Sequence, residues 1–275
     1  MRAEPKFIKQ STRFWAHAKY LSEKVGYSER GTKRRGAPKL LRTYTAAEAV
    51  AALRDKNLEP DNKLIAQVLE YLNWRTETLN KHVAPLFMDR AQAATEYNKL
   101  KAKLKPTKVS AMNKQKGEKK HTAYLSGMVS MIAESVVGPD GFVEDARSLA
   151  ILTWGGNLEE IFSRRFDGAF PDTENPKAVW EIKEYYGTTT FGSRVADGVY
   201  ETLLDGYEIE GVRALHGKVI EHFLFIDDRF TWWDCGRSYL CRMIDMLHTG
   251  HVDEIFFGRE VLTDWEPRLK QLSKK

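Results

Sequence analysis

At 275 residues the chain holds one large domain or two small ones with ample core, and 42% hydrophobic with 29% charged residues is ordinary globular composition. No apolar run approaches the ~20 residues of a membrane span, and the N-terminus MRAEPKFIKQSTRFW lacks the continuous apolar core of a secretory signal, so a cytoplasmic protein with no membrane partner is expected. The net charge of +5 is unevenly spread: residues 1–42 carry 12 Lys/Arg against 3 Asp/Glu, and residues 99–120 carry 9 Lys against one Glu.

Concentrated lysine suits sequence-independent contact with a phosphate backbone, and the run containing Lys33, Arg34 and Arg35 is the first place to expect it. A solvated basic loop has the same composition. Cys235 and Cys241, six apart, match neither a zinc site nor a disulfide framework and read as buried thiols.

In chain order, residues 44–57 predict a helix with Thr45 as N-cap and Glu48 as its capping-box partner. Residues 61–82 follow, with Leu64, Ile65, Val68, Leu69 and Leu72 at helical spacing, and residues 85–104 predict a third helix running into the lysine-rich segment. Pro106 and Gly117 break that segment, which separates a basic, mainly helical region 1–121, suited to DNA binding or dimerisation, from region 122–275.

A helix over 122–137 ends at Gly138-Pro139-Asp140-Gly141. Two apolar runs, Phe166–Phe170 and Ala178–Ile182, then flank the turn-rich Pro171–Lys177 and predict a β-hairpin. A helix ending near Gly206, a strand from Lys218 to Asp228, a helix over Gly236–Gly250, a short strand EIFFG and a polar tail complete the chain. The fold class is α/β (α+β), a mixed sheet flanked by helices with a helical N-terminal region.

Charges inside the hairpin strands are costly unless they are exposed or used. Glu181 and Lys183, two apart on a strand, share one face, while Trp180 and Ile182 point to the other. A carboxylate and a lysine on one face suit hydrolysis of a phosphodiester with a divalent cation, because Mg²⁺ prefers hard oxygen ligands and the lysine can orient water or stabilise negative charge at phosphorus. A second carboxylate is needed. If the turn centres near Thr173–Asn175, residue i pairs with about 348 − i and Asp167 faces Glu181; if it centres on Pro176-Lys177, Asp172 becomes the partner. Gly168 leaves room for a phosphate backbone to approach.

This segment resembles the active-site motif of the PD-(D/E)xK nuclease superfamily, with Glu181-Ile182-Lys183 as its E-x-K half, and is similar in particular to type II restriction endonucleases. The literal Pro171-Asp172 pair departs from the pattern if Asp167 is the functional aspartate. The resemblance implies a core of order α-β-β-β-α-β over roughly residues 122–257, Asp167, Glu181 and Lys183 as catalytic residues, Mg²⁺ held by Asp167 and Glu181, double-stranded DNA as substrate, 5′-phosphate products and a homodimer. It also implies a carboxylate from the helix preceding the hairpin. Glu134 is placed there on an otherwise apolar face, with Glu159 and Glu160 as rivals, and each also reads as a solvated helix acid.

Beyond Lys183, Thr190, Ser193 and Arg194 precede or open a helix and suit a phosphate, while N-capping by Thr190 or Ser193 accounts for the same residues without a ligand. Trp232 and Trp233 read as core, and His216, His222, His248 and His251 show no metal-ligand spacing. Two further readings stay open: a phage-defence, repair or junction-processing nuclease of the same superfamily, and a nucleic-acid-binding protein with an inactive nuclease-like core.

Overall fold

The computed structural model describes residues 1–28, 40–108, 111–113, 117, 120–186 and 192–274, with Ser193 and Arg194 described by backbone alone. Three capped helices open the chain: α1 (Thr12–Val25, capped by Ser11), α2 (Ala46–Arg54, with the Thr45–Glu48 capping box) and α3 (Asn62–Glu77, capped by Asp61). Their apolar stripes, among them Phe14, Leu21, Leu53, Val68 and Leu72, form one core cluster. The chain leaves α3 through a π-helical turn, Thr78–Val83, whose Leu79 and Val83 join a different cluster. Helix α4 (Arg90–Leu104), with a capping box of Asp89 and Gln92, buries Ala93 and Tyr97 in the same cluster as residues of α5 (Tyr124–Val137).

The remainder is mixed α/β. Strands β1 (Val143–Glu144), β4 (Gly168–Phe170), β5 (Ala178–Glu184), β6 (Glu221–Asp227) and β7 (Glu254–Phe257) lie side by side in that order, while β2 (Ile151–Trp154) and β3 (Asn157–Ile161) form a separate two-stranded hairpin. Pairing is antiparallel from β1 through β5 and parallel from β5 to β7. The two parallel steps run through α6 (Ser193–His216) and α7 (Arg237–Thr249).

Strand alternation sorts the two faces. Ala178, Trp180, Phe223, Phe225 and Phe256 pack with α5 and with α9 (Trp265–Ser273). On the other face Val179 meets Ile209 and Val212 of α6, and Leu224 and Ile226 meet α7. Glu181 and Lys183 therefore lie under α6, on the face opposite α5.

Several expectations change. Helix α6 runs 24 residues, past Gly206 to His216. Gly206 is a close contact rather than a stop, since an added Cβ would lie 2.5 Å from His251 Cβ. The C-terminal segment is not a polar tail: α8 (Glu260–Thr263) and α9 bury Val261, Trp265, Leu269 and Leu272. Gly168 leaves no room for a phosphate backbone, because an added Cβ would lie 2.1 Å from the Trp180 ring, which fills that space. Trp232 and Trp233 are buried, as expected of core residues.

Candidate active site

The hairpin register decides which acid joins Glu181. Gly168 pairs with Trp180, Ala169 with Val179 and Phe170 with Ala178, the pairing of the turn centred near Thr173–Asn175. Continued by one residue, that register sets Asp167 beside Glu181. The Asp167 carboxylate accepts the Ile182 backbone N–H at 2.8 Å, which turns it toward β5. Asp172 is exposed in the turn, its carboxylate accepting the N–H of Thr173 at 2.6 Å.

Glu181 and Lys183 are both buried, and Lys183 Nζ lies 2.7 Å from Glu181 Oε2. Helix α6 closes over them. An added Cβ at Gly198 would sit 3.3 Å from Lys183 Cδ, so the absent side chain lets the helix lie on the lysine stem. One and two turns further on, α6 presents Glu201, 3.2 Å from Lys183 Nζ, and Asp205, which is fully buried. The indole N–H of Trp232 donates to the Lys183 carbonyl at 3.3 Å and ties the strand end to the π-helical turn Arg229–Cys235 that follows β6.

Arg164, from the segment before β4, completes the cluster. Its guanidinium nitrogens lie 2.9 Å from Glu181 Oε1, 2.6 Å from Asp205 Oδ2 and 3.4 Å from Glu201 Oε2. Among the described residues Asp205 Oδ1 is buried without a hydrogen-bond partner. Burial raises the pKa of Glu181, but Lys183 and Arg164 outweigh it and hold the carboxyl below its usual range. Asp205 is pushed up to about 7 by burial and by the Glu181 charge, against the pull of Arg164 and Lys183. Burial disfavours the charged forms of Lys183 and Arg164, yet the surrounding carboxylates, Glu181 first, raise both.

Residues 88–272 match the family described as Domain of unknown function (DUF7687), and residues 1–82 match a second, Domain of unknown function (DUF7690). The chain belongs to the DUF7687 family. No curated protein and no solved structure matches it. All six members of the cluster, Arg164, Asp167, Glu181, Lys183, Glu201 and Asp205, fall within the DUF7687 match. The two matches meet between residues 82 and 88, whereas the sequence reading places its division at residue 121.

The other expected ligands lie elsewhere. Glu134 is on α5, on the opposite face of the sheet, where its carboxylate accepts the backbone N–H and hydroxyl of Thr107, both at 2.7 Å, and the N–H of Lys108 at 3.4 Å. It secures the loop after α4 instead of joining Glu181. Glu159 and Glu160 are on β3 of the separate hairpin, and Glu160 accepts the neighbouring Ile161 N–H. Lys33, Arg34, Arg35 and Thr190 lie outside the described residues, as do the side chains of Ser193 and Arg194.

Arg164, Glu201 and Asp205 were not anticipated. The i, i+4 spacing of the two α6 acids was visible in the sequence, but which strand that helix face would cover was not. Chemically the cluster offers hard carboxylate oxygens and a lysine. Among the described residues, however, no group of three or more His, Cys, Asp or Glu side chains is arranged to hold a metal ion. The guanidinium of Arg164 lies where Glu181, Glu201 and Asp205 converge, and with it there the residues do not fit a divalent cation.

Proposed function

We infer that the protein is an endonuclease that hydrolyses phosphodiester bonds of double-stranded DNA at specific sequences, with Asp167, Glu181 and Lys183 as catalytic residues, leaving 5′-phosphates and requiring Mg²⁺. The observation that carries this reading is the hairpin register, which sets Asp167 beside Glu181 on the strand that bears Lys183. The element order supports it too: α5, the antiparallel strands β1, β4 and β5, the crossover α6 and the parallel strand β6 match the α-β-β-β-α-β core of the nucleases that the motif resembles. The separate β2–β3 hairpin is an addition between the first two of those strands.

Lys183 is held between Glu181 and Glu201 as a cation. Its task in this reading is to stabilise negative charge as it grows on the phosphorus oxygens. Mg²⁺ chemistry of this kind would draw its hard oxygen donors from Asp167 and Glu181, and the guanidinium of Arg164 against Glu181 stands in its way. Cutting both strands symmetrically needs two copies of the site, hence a homodimer. The exposed Tyr200, Leu204 and Tyr207, spaced along one stripe of α6, suit a second copy of the chain.

A plasmid-cleavage assay with and without Mg²⁺ tests the reading on the wild type and Lys183→Ala. Discrete fragments that need the metal, with the rate falling at least about 10²-fold in the variant, are the expected outcome. Nicking or smearing that still depends on Lys183 points instead to a repair, junction-processing or phage-defence nuclease. One observation favours a second reading, a DNA-binding protein that does not cut: Arg164 fills the space among the carboxylates. DNA bound with a normal affinity but never cleaved under any divalent cation decides for it.

A further inference from the structure

We propose that the outward face of α4 is a contact surface for the phosphate backbone of duplex DNA, gripped by Lys99, Lys101, Lys103 and Lys105 on the side of the sheet away from Lys183. This rests on the nucleic-acid part of the reading above and not on cleavage.

The helix is anchored on one side. Tyr97, Leu100 and Leu104 pack with α5, and an added Cβ at Gly127 of α5 would lie 2.5 Å from the Tyr97 ring. The four lysines, two residues apart in sequence, are all exposed. Lys99 with Lys103 and Lys101 with Lys105 are i, i+4 pairs, so they form two rows along the helix, spanning about 9 Å of rise. The outward residues Thr95, Asn98 and Ala102 are exposed too, and none is bulky enough to keep a backbone from the lysines.

Neighbouring acids do not cancel this charge. Glu96 is the one acid of α4, and it already meets Arg259 at 2.9 Å as well as Lys99 at 3.4 Å. Glu266 of α9 feels the charge of Lys103 but is bonded to Lys270. Among these groups six cations (the four lysines, Arg259 and Lys270) stand against two acids, an excess of four positive charges.

The kind of polyanion follows from what the face lacks. No large apolar side chain of α4 or α9 is exposed. The surface therefore has neither the buried anchors of a protein interface nor the apolar face of a membrane-surface helix. A phosphate backbone needs neither, only cations. Nor does the helix over the candidate site supply the grip, since the described charged side chains on the outward face of α6, Asp197, Glu201, Glu208 and Glu210, are acids.

The test uses the full chain and a duplex of about 30 base pairs of arbitrary sequence, with binding read by fluorescence anisotropy in EDTA at rising NaCl, so that cleavage plays no part. The fourfold variant Lys99→Gln, Lys101→Gln, Lys103→Gln and Lys105→Gln is expected to bind at least about tenfold more weakly at about 0.1 M salt, with the slope of log Kd against log salt reduced by about 2–4. A control removes the same charge from four exposed lysines of the first region, by Lys19→Gln, Lys24→Gln, Lys56→Gln and Lys63→Gln, and is expected to keep the wild-type slope. If the fourfold α4 variant does not fold, Lys103→Gln and Lys105→Gln made singly are each expected to lower the slope by about 1. Equal losses in the α4 variant and the control overturn the surface, because net charge alone would then hold the DNA. So does an α4 variant that binds like the wild type but unfolds at lower temperature, since its lysines would then serve only the helix end. Polyglutamate that competes as well as DNA at equal charge overturns it as well. A salt slope that depends on α4, in a protein that never cuts DNA under Mg²⁺, keeps the surface and removes the nuclease reading. Cleavage that needs Mg²⁺ and Lys183, with a salt slope indifferent to α4, does the reverse.

Discussion

Glu184 follows Lys183 in β5 yet turns to the opposite face, where its carboxylate accepts the backbone N–H of Ser126 at 3.0 Å and the Ser126 hydroxyl at 3.1 Å. The N-cap position of α5 is Ala123, which has no side chain able to cap, so a strand residue satisfies the helix end from across the sheet. Burial pushes Glu184 up to about 7 despite the hydrogen bonds from Ser126 that favour its charge. The folded protein thus holds a proton that the unfolded chain has already released. The stabilisation is complete below the ordinary carboxylate range and is lost as pH rises through about 7. Glu184→Gln removes that slope, so its unfolding midpoint is expected to fall less than that of the wild type between about pH 5 and about pH 8. A wild type and variant that lose stability in parallel would show that Glu184 does not carry the titration. Asp227, also pushed up to about 7 by burial, tilts the wild type in the same direction and leaves the variant with a residual slope. At this scale the site was half legible. Asp167, Glu181 and Lys183 follow from strand alternation and the symmetry of one hairpin, which are local properties. Glu134 was misplaced because an acid on an apolar helix looks like a ligand, whereas its task is to hold the loop at Thr107.

Helix α6 carries the element-scale argument, because two of its glycines do opposite things. Gly206 faces His251 so closely that an added Cβ would lie 2.5 Å from His251 Cβ and 2.6 Å from its carbonyl oxygen. Gly211, five residues on, has nothing within 4 Å of such an atom. Alanine improves helix propensity at both sites, by about 0.5–1 kcal/mol. Gly211→Ala is therefore expected to stabilise by about that amount. Gly206→Ala must push α6 away from the turn after α7, with a net cost of about 1–3 kcal/mol. Denaturant midpoints of the two variants check this, and a Gly206→Ala protein as stable as Gly211→Ala would mean that α6 does not press on His251. The same helix explains what the sequence withheld. Glycine is a fair stop signal when nothing else is known, and only the tertiary contact turns Gly206 into a mid-helix residue. Local chemistry was more readable elsewhere: the Thr45–Glu48 capping box and the ends of α7 follow from short patterns. The C-terminal helices did not, since Trp265, Leu269 and Leu272 are few among charged neighbours and show their purpose only against Phe223 and Phe256.

For the whole molecule, the question is what joins the DUF7690 and DUF7687 regions into one body. Arg75 of α3 is fully buried and gives Asp245 of α7 two hydrogen bonds, at 2.7 and 2.9 Å. The Tyr71 hydroxyl donates to the same carboxylate at 2.6 Å, and Arg75 also donates to Ser22 of α1 at 2.9 Å. Around them Leu79, near the end of the first region, and Val83, just past it, share a cluster with Leu240, Ile244 and Leu247 of α7. A buried ion pair adds little over well-packed apolar residues, but removing one partner strands the other charge in a medium that cannot solvate it. Asp245→Ala is therefore expected to cost about 3–5 kcal/mol, as is Arg75→Met, because each leaves its partner unpaired. Combining Arg75→Met with Asp245→Ala removes both charges at once, and the double variant is expected to lose less than the two single losses combined. Urea unfolding of the four proteins measures the coupling. A coupling of about 1–3 kcal/mol, with the transition still single, identifies the pair as the lock between the two regions. Strictly additive losses would mean that α3 and α7 are held by their apolar neighbours alone, and a second transition in Asp245→Ala would show the first region melting by itself.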